Sequence, residues 1–184
     1  IESQLNFENA KVIQKSAYPS DGEVVITLEN NTKSFVALRI PGWCKDFTVN
    51  KEYTMEKGYI YIKVSDNDEI KINFLMPVRF ISANKKVHTN SGRVALMRGP
   101  VVYCLEGKDN GKDLESIRVD INSEFRLSDS EFILPALETI GYQEKESDML
   151  YFDATDEYDK VSLKFIPYYA YANRGETELI VWLI

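Results

Sequence analysis

Histidine and cysteine are scarce in this sequence of 184 residues, and that scarcity excludes several kinds of active site. There is one histidine, His88, and the two cysteines, Cys44 and Cys104, lie far apart. A zinc site needs three or four ligands, and no CxxC or HExxH motif supplies them. Two cysteines also cannot make a disulfide-rich scaffold. We expect both to be buried as small apolar residues, with a single pairing as the alternative, and we predict no catalytic, cofactor or metal site in this chain.

Long apolar runs and clustered positive charge are also missing. No segment approaches the ~20 apolar residues that span a membrane, and the first residues, Ile1-Glu2-Ser3-Gln4, do not read as a signal peptide. The formal net charge of −7 disfavours nucleic acid and anionic membranes as partners. We expect a soluble polypeptide. Because the first residue is not methionine, we interpret the sequence as a fragment or a mature piece, and its compartment is not recorded in it.

Aromatic residues are abundant and favour sheets over helical bundles: there are 11 Tyr and 9 Phe against 4 Met. The first part of the chain alternates apolar and polar residues with a period of two, which is typical of half-buried strands. Pro19-Ser20-Asp21-Gly22 separates the first two runs and predicts a hairpin. A polar stretch at 50–57 is expected to be a loop. The predicted strands of this part are 11–18, 23–30, 36–40, 47–49, 59–64 and 70–76.

The segment 92–106 contains two short apolar runs on either side of Arg98-Gly99-Pro100. Proline removes a backbone donor and fixes φ, so neither a helix nor a central strand continues unbroken through this point. The flanking residues are rich in β-branched and aromatic types, which favours strands entering and leaving a corner. We interpret this segment as the place where the chain crosses from one packed body to the next.

The segment 107–113 has no apolar residue and two glycines, so we expect an exposed linker there. This places one domain at 1–106 and another at 107–184. The predicted fold class is all-β, with two consecutive antiparallel β-sandwich domains. A second, shorter series of strands is predicted at 117–121, 124–127, 132–134, 137–140, 150–152, 161–166, 168–172 and 179–184.

Two acidic residues near the corner, Glu106 and Asp109, are candidates for catalytic carboxylates. Glycoside hydrolysis usually needs two carboxyl groups held across a cleft. The sequence contains many acidic residues, so a pair by itself indicates little. Loop carboxylates are mostly solvated, and we favour a surface ion pair or a turn contact for both.

The segment 167–175 concentrates tyrosines beside an arginine. If it is a strand, Tyr169 and Tyr171 share one face. Sugars stack on aromatic rings, and Arg174 could donate to their hydroxyls, so a carbohydrate contact is physically sound. The favoured alternative is that these side chains, and likewise Trp43, pack in a core or against another domain, because tyrosine and arginine are common in interfaces.

Four segments, taken in order, resemble the C-terminal region of glycoside hydrolase family 127, the β-L-arabinofuranosidase type. Each motif is weak alone, and their order and spacing make the resemblance specific. They span nearly the whole chain. The segments are YPSDG at 18–22, LRIPGWC at 38–44, GRVALMRGPVVYCLE at 92–106, and PYYAYANRG at 167–175, followed by Val181-Trp182.

The resemblance implies an accessory role for this chain. It places the family's catalytic helical barrel, with an acidic residue and paired cysteines around a zinc ion, before Ile1. Cys44 and Cys104 fall in the β-region motifs, so the catalytic cysteines cannot be assigned to them. The implied function is a non-catalytic C-terminal region that supports a barrel hydrolysing furanosyl linkages with retention, and a homodimer is compatible with it. The alternative left open is a carbohydrate-binding or adhesion module acting on its own.

Overall fold

The structure is a computed structural model that describes residues 2–7, 10–145, 147–151 and 158–184. The chain divides into two compact units, Ile1–Pro77 and Val78–Ile184, and both are built from antiparallel strands. The predicted all-β, sandwich-like class is therefore confirmed. The structural division lies at 77/78 and not at 106/107, because residues on both sides of 106 belong to one sheet system. Among the described residues, no helix is both long and apolar enough to cross a lipid bilayer.

The described part of the first unit contains two antiparallel sheets. The larger sheet has the strand order β1-β2-β3-β8-β5, and the smaller one has the order β4-β7-β6. The strands are β1 (Glu2–Phe7), β2 (Ala10–Ser16), β3 (Glu23–Glu29), β4 (Phe35–Arg39), β5 (Phe47–Val49), β6 (Tyr53–Glu56), β7 (Tyr59–Lys63) and β8 (Glu69–Phe74).

Period-two alternation builds the core of this unit. Val24, Ile26 and Leu28 of β3 are buried, and they share one cluster with Ile60 and Ile62 of β7 in the other sheet. Side chains on alternate positions of a strand point to one face, so each strand contributes one apolar row to the space between the sheets. The predicted hairpin at residues 19–22 is confirmed by the pairing of β2 with β3.

Two strands of the first unit were not predicted. β1 lies at the edge of the larger sheet, and β6 lies at the edge of the smaller one, inside the stretch expected to be a loop. All four residues of β6 are exposed. Edge strands need no continuous apolar row, and for that reason their sequences lack the alternation that identifies central strands.

The described part of the second unit forms one branched antiparallel sheet. Its strands are β9 (Val78–Ser82), β10 (Val94–Arg98), β11 (Val101–Glu106), β12 (Ile117–Arg118), β13 (Arg126–Ser128), β14 (Ala136–Glu144), β15 (Tyr158–Pro167), β16 (Leu179–Ile180) and β17 (Trp182–Leu183). The helical elements are short: the four-residue helix α1 (Gly107–Asn110) and 3₁₀ turns at His88–Asn90, Leu114–Ser116 and Tyr168–Ala170.

The branching arises because short strands share the edges of longer ones. β15 pairs with β14 along most of its length, so β12 and β13 both pair with the opposite edge of β14. β16 pairs with β11 and β17 pairs with β10, beyond the part where β10 and β11 pair with each other. Aromatic rings pack together in the core of this unit. The centroid of the Phe125 ring lies 5.7 Å from that of Phe80 and 5.9 Å from that of Phe165.

The segment expected to be a corner between domains is a hairpin within the second unit. Arg98 pairs with Val101, and the intervening turn begins at Gly99 with a φ of 55°. Glycine adopts this left-handed conformation without steric cost, and it precedes the fixed φ of Pro100. The expected linker at 107–113 instead contains α1, whose Asn110 side chain hydrogen-bonds the backbone of Lys164 in β15 at 2.9 Å.

Other predicted strands of the second unit are also corrected. Residues 168–170 form a 3₁₀ turn, so the expected alternation of tyrosines does not occur. Residues 132–134 are not in a strand, nor are residues 150 and 151, and residue 152 lies outside the described residues. Cys44 and Cys104 are free and buried, as expected.

Gly22 offers a test of how tightly the first unit packs. A Cβ atom at this position would lie 1.9 Å from the carbonyl oxygen of Phe74, whereas a Cβ on Gly42 would meet nothing within 4 Å. We expect Gly22→Ala to lower the free energy of unfolding by at least the ~1–3 kcal/mol typical of overpacking. Gly42→Ala is the matched control and should have little effect. Urea unfolding of both variants measures the difference, and equal stabilities would contradict this account.

Candidate functional site

The structure gathers ionisable side chains from distant parts of the second unit around one arginine. Arg174 bonds to Glu106, Asp109 and Glu131. We call these four residues the Arg174 cluster. Because the guanidinium group is planar and carries five donors, it can hold several carboxylates at once.

Glu106 is the most deeply placed member of the cluster, with 0% of its surface exposed. It ends β11, directly after a run of apolar residues. One carboxylate oxygen accepts a hydrogen bond from the backbone N–H of Ala172 at 3.0 Å, and the other accepts from Arg174. Ala172 has a left-handed φ of 61°. A buried carboxylate is tolerated only when it is paired and hydrogen-bonded, and both conditions are met here.

Asp109 approaches the same guanidinium from α1. Its Oδ1 atom lies 3.2 Å from Nη1 of Arg174 and 3.8 Å from Nζ of Lys164. The neighbouring Asn110 fixes this turn, because its side-chain amide donates to the backbone carbonyl of Glu106 at 3.0 Å. The helical turn, strand β11 and the loop that follows Ala170 are thus joined at one point.

The outer side of the cluster is completed by two consecutive residues. The Oε1 atom of Glu131 lies 3.2 Å from Nη1 of Arg174. The guanidinium carbon also lies 5.6 Å from the centroid of the Phe132 ring, a distance at which a cation and an aromatic face attract. Neither residue was singled out from the sequence, because nothing local to 131–132 indicates a partner 43 positions away.

The charges and the burial of the cluster shift the pKa values of Arg174 and of Cys104. The hydrogen bonds that Arg174 donates to Asp109, and then to Glu106, raise the pKa of Arg174 above its already high value, so the guanidinium stays charged. The adjacent thiol of Cys104 has its pKa raised to about 12, chiefly by burial and further by the negative charge of Glu106. A thiol with this pKa is protonated at neutral pH and is not a nucleophile.

Glu106 and Asp109 are both bonded by the same cation, Arg174. The ion pair expected for them is present, although Glu106 is buried and not at the surface. Within the described residues, no group of three or more His, Cys, Asp or Glu side chains could hold a metal ion.

The tyrosines of the segment 167–175 precede Arg174 in the same loop. Tyr168, Tyr169 and Tyr171 are exposed. The hydroxyl of Tyr171 donates to the backbone carbonyl of Thr177 at 3.4 Å. The structure therefore places the predicted residues Tyr169, Tyr171 and Arg174 in one loop, where Arg174 faces inward and the tyrosines remain accessible.

Trp43 lies in the first unit, within its own aromatic group. Its ring is stacked on Tyr18 with centroids 6.3 Å apart and planes 13° apart, and it meets Phe74 edge to face at 6.2 Å. This group accounts for the placement of Trp43 by packing within the unit. A half-open cavity of about 290 Å³, lined by Tyr18, Phe74 and aliphatic residues of both sheets, lies beside it.

The Arg174 cluster gives a sharp mutational test. Arg174→Met leaves the Glu106 carboxylate buried without its partner, so we expect the free energy of unfolding to fall by about 3–5 kcal/mol. Adding Glu106→Gln should recover part of this loss, because the buried charge is then removed. Urea unfolding curves of the two variants measure both effects.

The control for this prediction is Arg126→Met. Arg126 pairs with Glu138 at the surface, where the side chain of Arg126 is 78% exposed, and the loss of such a pair has little effect. If Arg174→Met cost no more stability than Arg126→Met, the cluster would not stabilise the second unit.

Comparison with known proteins agrees with the division of the fold. Residues 1–78 match the family description "Beta-L-arabinofuranosidase, GH127 middle domain", and residues 78–184 match "Glycoside hydrolase family 127 C-terminal domain". The junction of the two matches coincides with the structural boundary at 77/78.

Individual relatives point the same way. A non-reducing end β-L-arabinofuranosidase of Bifidobacterium longum subsp. longum is 33% identical over 93% of this chain, which covers 30% of that protein. The crystal structure of a GH127 β-L-arabinofuranosidase from Geobacillus stearothermophilus T6 is 35% identical with a TM-score of 0.85, covering 99% of this chain and 32% of that one. The structure of another GH127 β-arabinofuranosidase is 29% identical with a TM-score of 0.80, covering 99% of this chain and 33% of that one.

The chain thus spans about a third of the length of the relatives it matches. The two family matches together cover it from end to end, and the similarity in structure extends over nearly all of it. The chain belongs to glycoside hydrolase family 127 and corresponds to the middle and C-terminal domains of that family.

Proposed function

We propose that this chain is the non-catalytic accessory region of a β-L-arabinofuranosidase-like glycoside hydrolase and that it supports the catalytic barrel. The observation that carries the proposal is the Arg174 cluster, in which the carboxylates most suggestive of catalysis bond to one cation. The relatives named as β-L-arabinofuranosidases are about three times longer, which leaves room for chemistry outside the shared part. In this proposal the zinc ion belongs to the catalytic domain.

The surface proposed to contact the catalytic barrel is the turn that carries Tyr168 and Tyr169. Both side chains are exposed, while Arg174 anchors the same loop from beneath through Glu106 and Asp109. Rigid, exposed tyrosines lose little side-chain entropy on binding and are enriched in interfaces. The cluster would then hold the contact surface in place, which is how a non-catalytic region could stabilise an enzyme. A homodimer contact at this turn is a variant of the same proposal.

A second candidate function is carbohydrate binding by the chain on its own. It is favoured by an open groove beside Tyr171, lined by the carboxylates Asp113, Glu115 and Glu178 and by Leu179. Carboxylates accept hydrogen bonds from sugar hydroxyls, and an exposed tyrosine offers a ring for stacking. Binding of an arabino-oligosaccharide that weakens in Tyr171→Ala would support this candidate over the support role.

An activity assay tests the non-catalytic role directly. The chain, incubated with an aryl β-L-arabinofuranoside and zinc chloride, should release no phenol above the rate without protein. A full-length family member that retains its barrel provides the positive control. Zinc-dependent turnover by the 184-residue chain would overturn the proposal.

A substitution in the turn tests the support role. In a full-length protein containing this chain, Tyr168→Ser combined with Tyr169→Ser should lower the thermal midpoint of the barrel, because the docking contacts are lost. The same double variant of the 184-residue chain should melt unchanged, since both side chains are already exposed there. Tyr158→Ser, at another exposed tyrosine of the second unit, is the matched control. Unaltered melting of the full-length double variant would show that this turn does not dock the barrel.

A further inference from the structure

The outward face of the three-stranded sheet in the first unit carries two exposed tyrosines on its central strand. Ile60 and Ile62 of β7 are fully buried, so Tyr59 and Tyr61 point away from the core. They are 40% and 38% exposed. Two positions along a strand is a spacing of about 6.6 Å, so the tyrosines are neighbours on one surface. No part of the proposed function above uses this surface.

The strand register fixes which side chains flank each tyrosine. Tyr61 lies between Ala37 of β4 and Thr54 of β6. Directly paired residues share a face, so small side chains flank this ring on both sides and leave it accessible. We call the outward surface of β4, β7 and β6 the β7 tyrosine face.

Charged residues flank Tyr59 on both neighbouring strands. Its partners are Arg39 of β4 and Glu56 of β6. Within the part of the chain that the structure describes, the side chain of Arg39 makes no hydrogen bond or ion pair, whereas that of Glu56 pairs with the adjacent exposed Lys57 at 3.3 Å. Phe35 and Lys63 form the next row beyond Tyr61. The face thus combines aromatic rings with hydrogen-bonding groups of both charges.

Taken alone, the face is smaller than one side of a typical stable protein interface. Three strands at about 4.8 Å spacing and five residues at about 3.3 Å give roughly 14 by 17 Å, or about 240 Å². A stable protein interface buries about 800 Å² on each side. Exposed tyrosines in so small a polar patch fit a compact ligand that presents both flat apolar surfaces and hydroxyl groups.

A neutral oligosaccharide has this chemistry. The C–H faces of its rings stack on tyrosine, and its hydroxyls both donate and accept, so they can bond to Arg39, Thr54 and Glu56 at once. A charged ligand is disfavoured because the face presents Arg39 and Lys63 together with Glu56. We propose that the β7 tyrosine face binds a neutral oligosaccharide. This holds whether or not the chain is catalytic.

Titration calorimetry of the chain with arabinotriose tests the proposal. Threonine retains strand propensity while removing the ring, so Tyr61→Thr and Tyr59→Thr should each weaken binding by about tenfold. Tyr61→Phe should bind nearly as tightly as the original chain, because the stacking surface remains. The thermal midpoint of each variant verifies that it is folded.

The matched control is Tyr53→Thr. Tyr53 lies in the same sheet and is 44% exposed, but its register with the buried Ile62 places it on the opposite face, where it contacts Phe47. This variant should bind arabinotriose normally. The proposal is overturned if the original chain does not bind arabinotriose, if the threonine variants at 59 and 61 bind it as tightly as the original chain, or if only Tyr171→Ala removes binding. It is also overturned if those variants change the oligomeric state without affecting sugar binding.

Discussion

A single buried charge constrains the second unit. Glu106 ends a central strand where no water reaches it, and the sheet can bury that carboxylate only if a cation and a backbone amide are delivered to it. Arg174 supplies the cation from a loop 68 residues later. The loop must therefore fold back over β11, and its conformation, including the left-handed residue Ala172, is set by that requirement.

The first unit depends on a simpler rule, which explains why most of it could be predicted. Central strands such as β3 and β7 are buried on one face only, so apolar and polar residues alternate in their sequences. The alternation identifies the residues that point into the core. Edge strands β1 and β6 were not predicted, because residues 2–6 of β1 and all four residues of β6 are exposed and show no apolar alternation. The same rule applies to the second unit less well: β11 is buried over most of its length, and β12, β16 and β17 have two residues each, too few to show any period.

The boundary and the site were harder to predict for a related reason. The polar segment after Glu106 has the composition of a linker, but Asn110 uses its amide to bind two strands, a role that composition does not reveal. The sequence indicates Glu106 and Asp109 as acidic residues near a bend and, separately, Arg174 as a donor beside tyrosines. Their meeting depends on a pairing of β11 with β15 and on the turn that follows it, which is a long-range property of the fold. The expected alternation of Tyr169 and Tyr171 failed because Pro167 is followed by a 3₁₀ turn.

The position of β17 has a consequence for biosynthesis. Leu183 pairs with Val94 and Trp182 pairs with Ala95, so the last strand of the chain occupies an edge of β10 that lies almost ninety positions earlier. While the polypeptide is still emerging from the ribosome, β10 has only part of its ladder. The first unit, whose strands all precede residue 78, can complete its sandwich during translation, whereas the second also needs residues 182 and 183 to have left the exit tunnel. A stop codon before residue 182 would thus leave the strands of the first unit complete and deprive β10 of its pairing with β17.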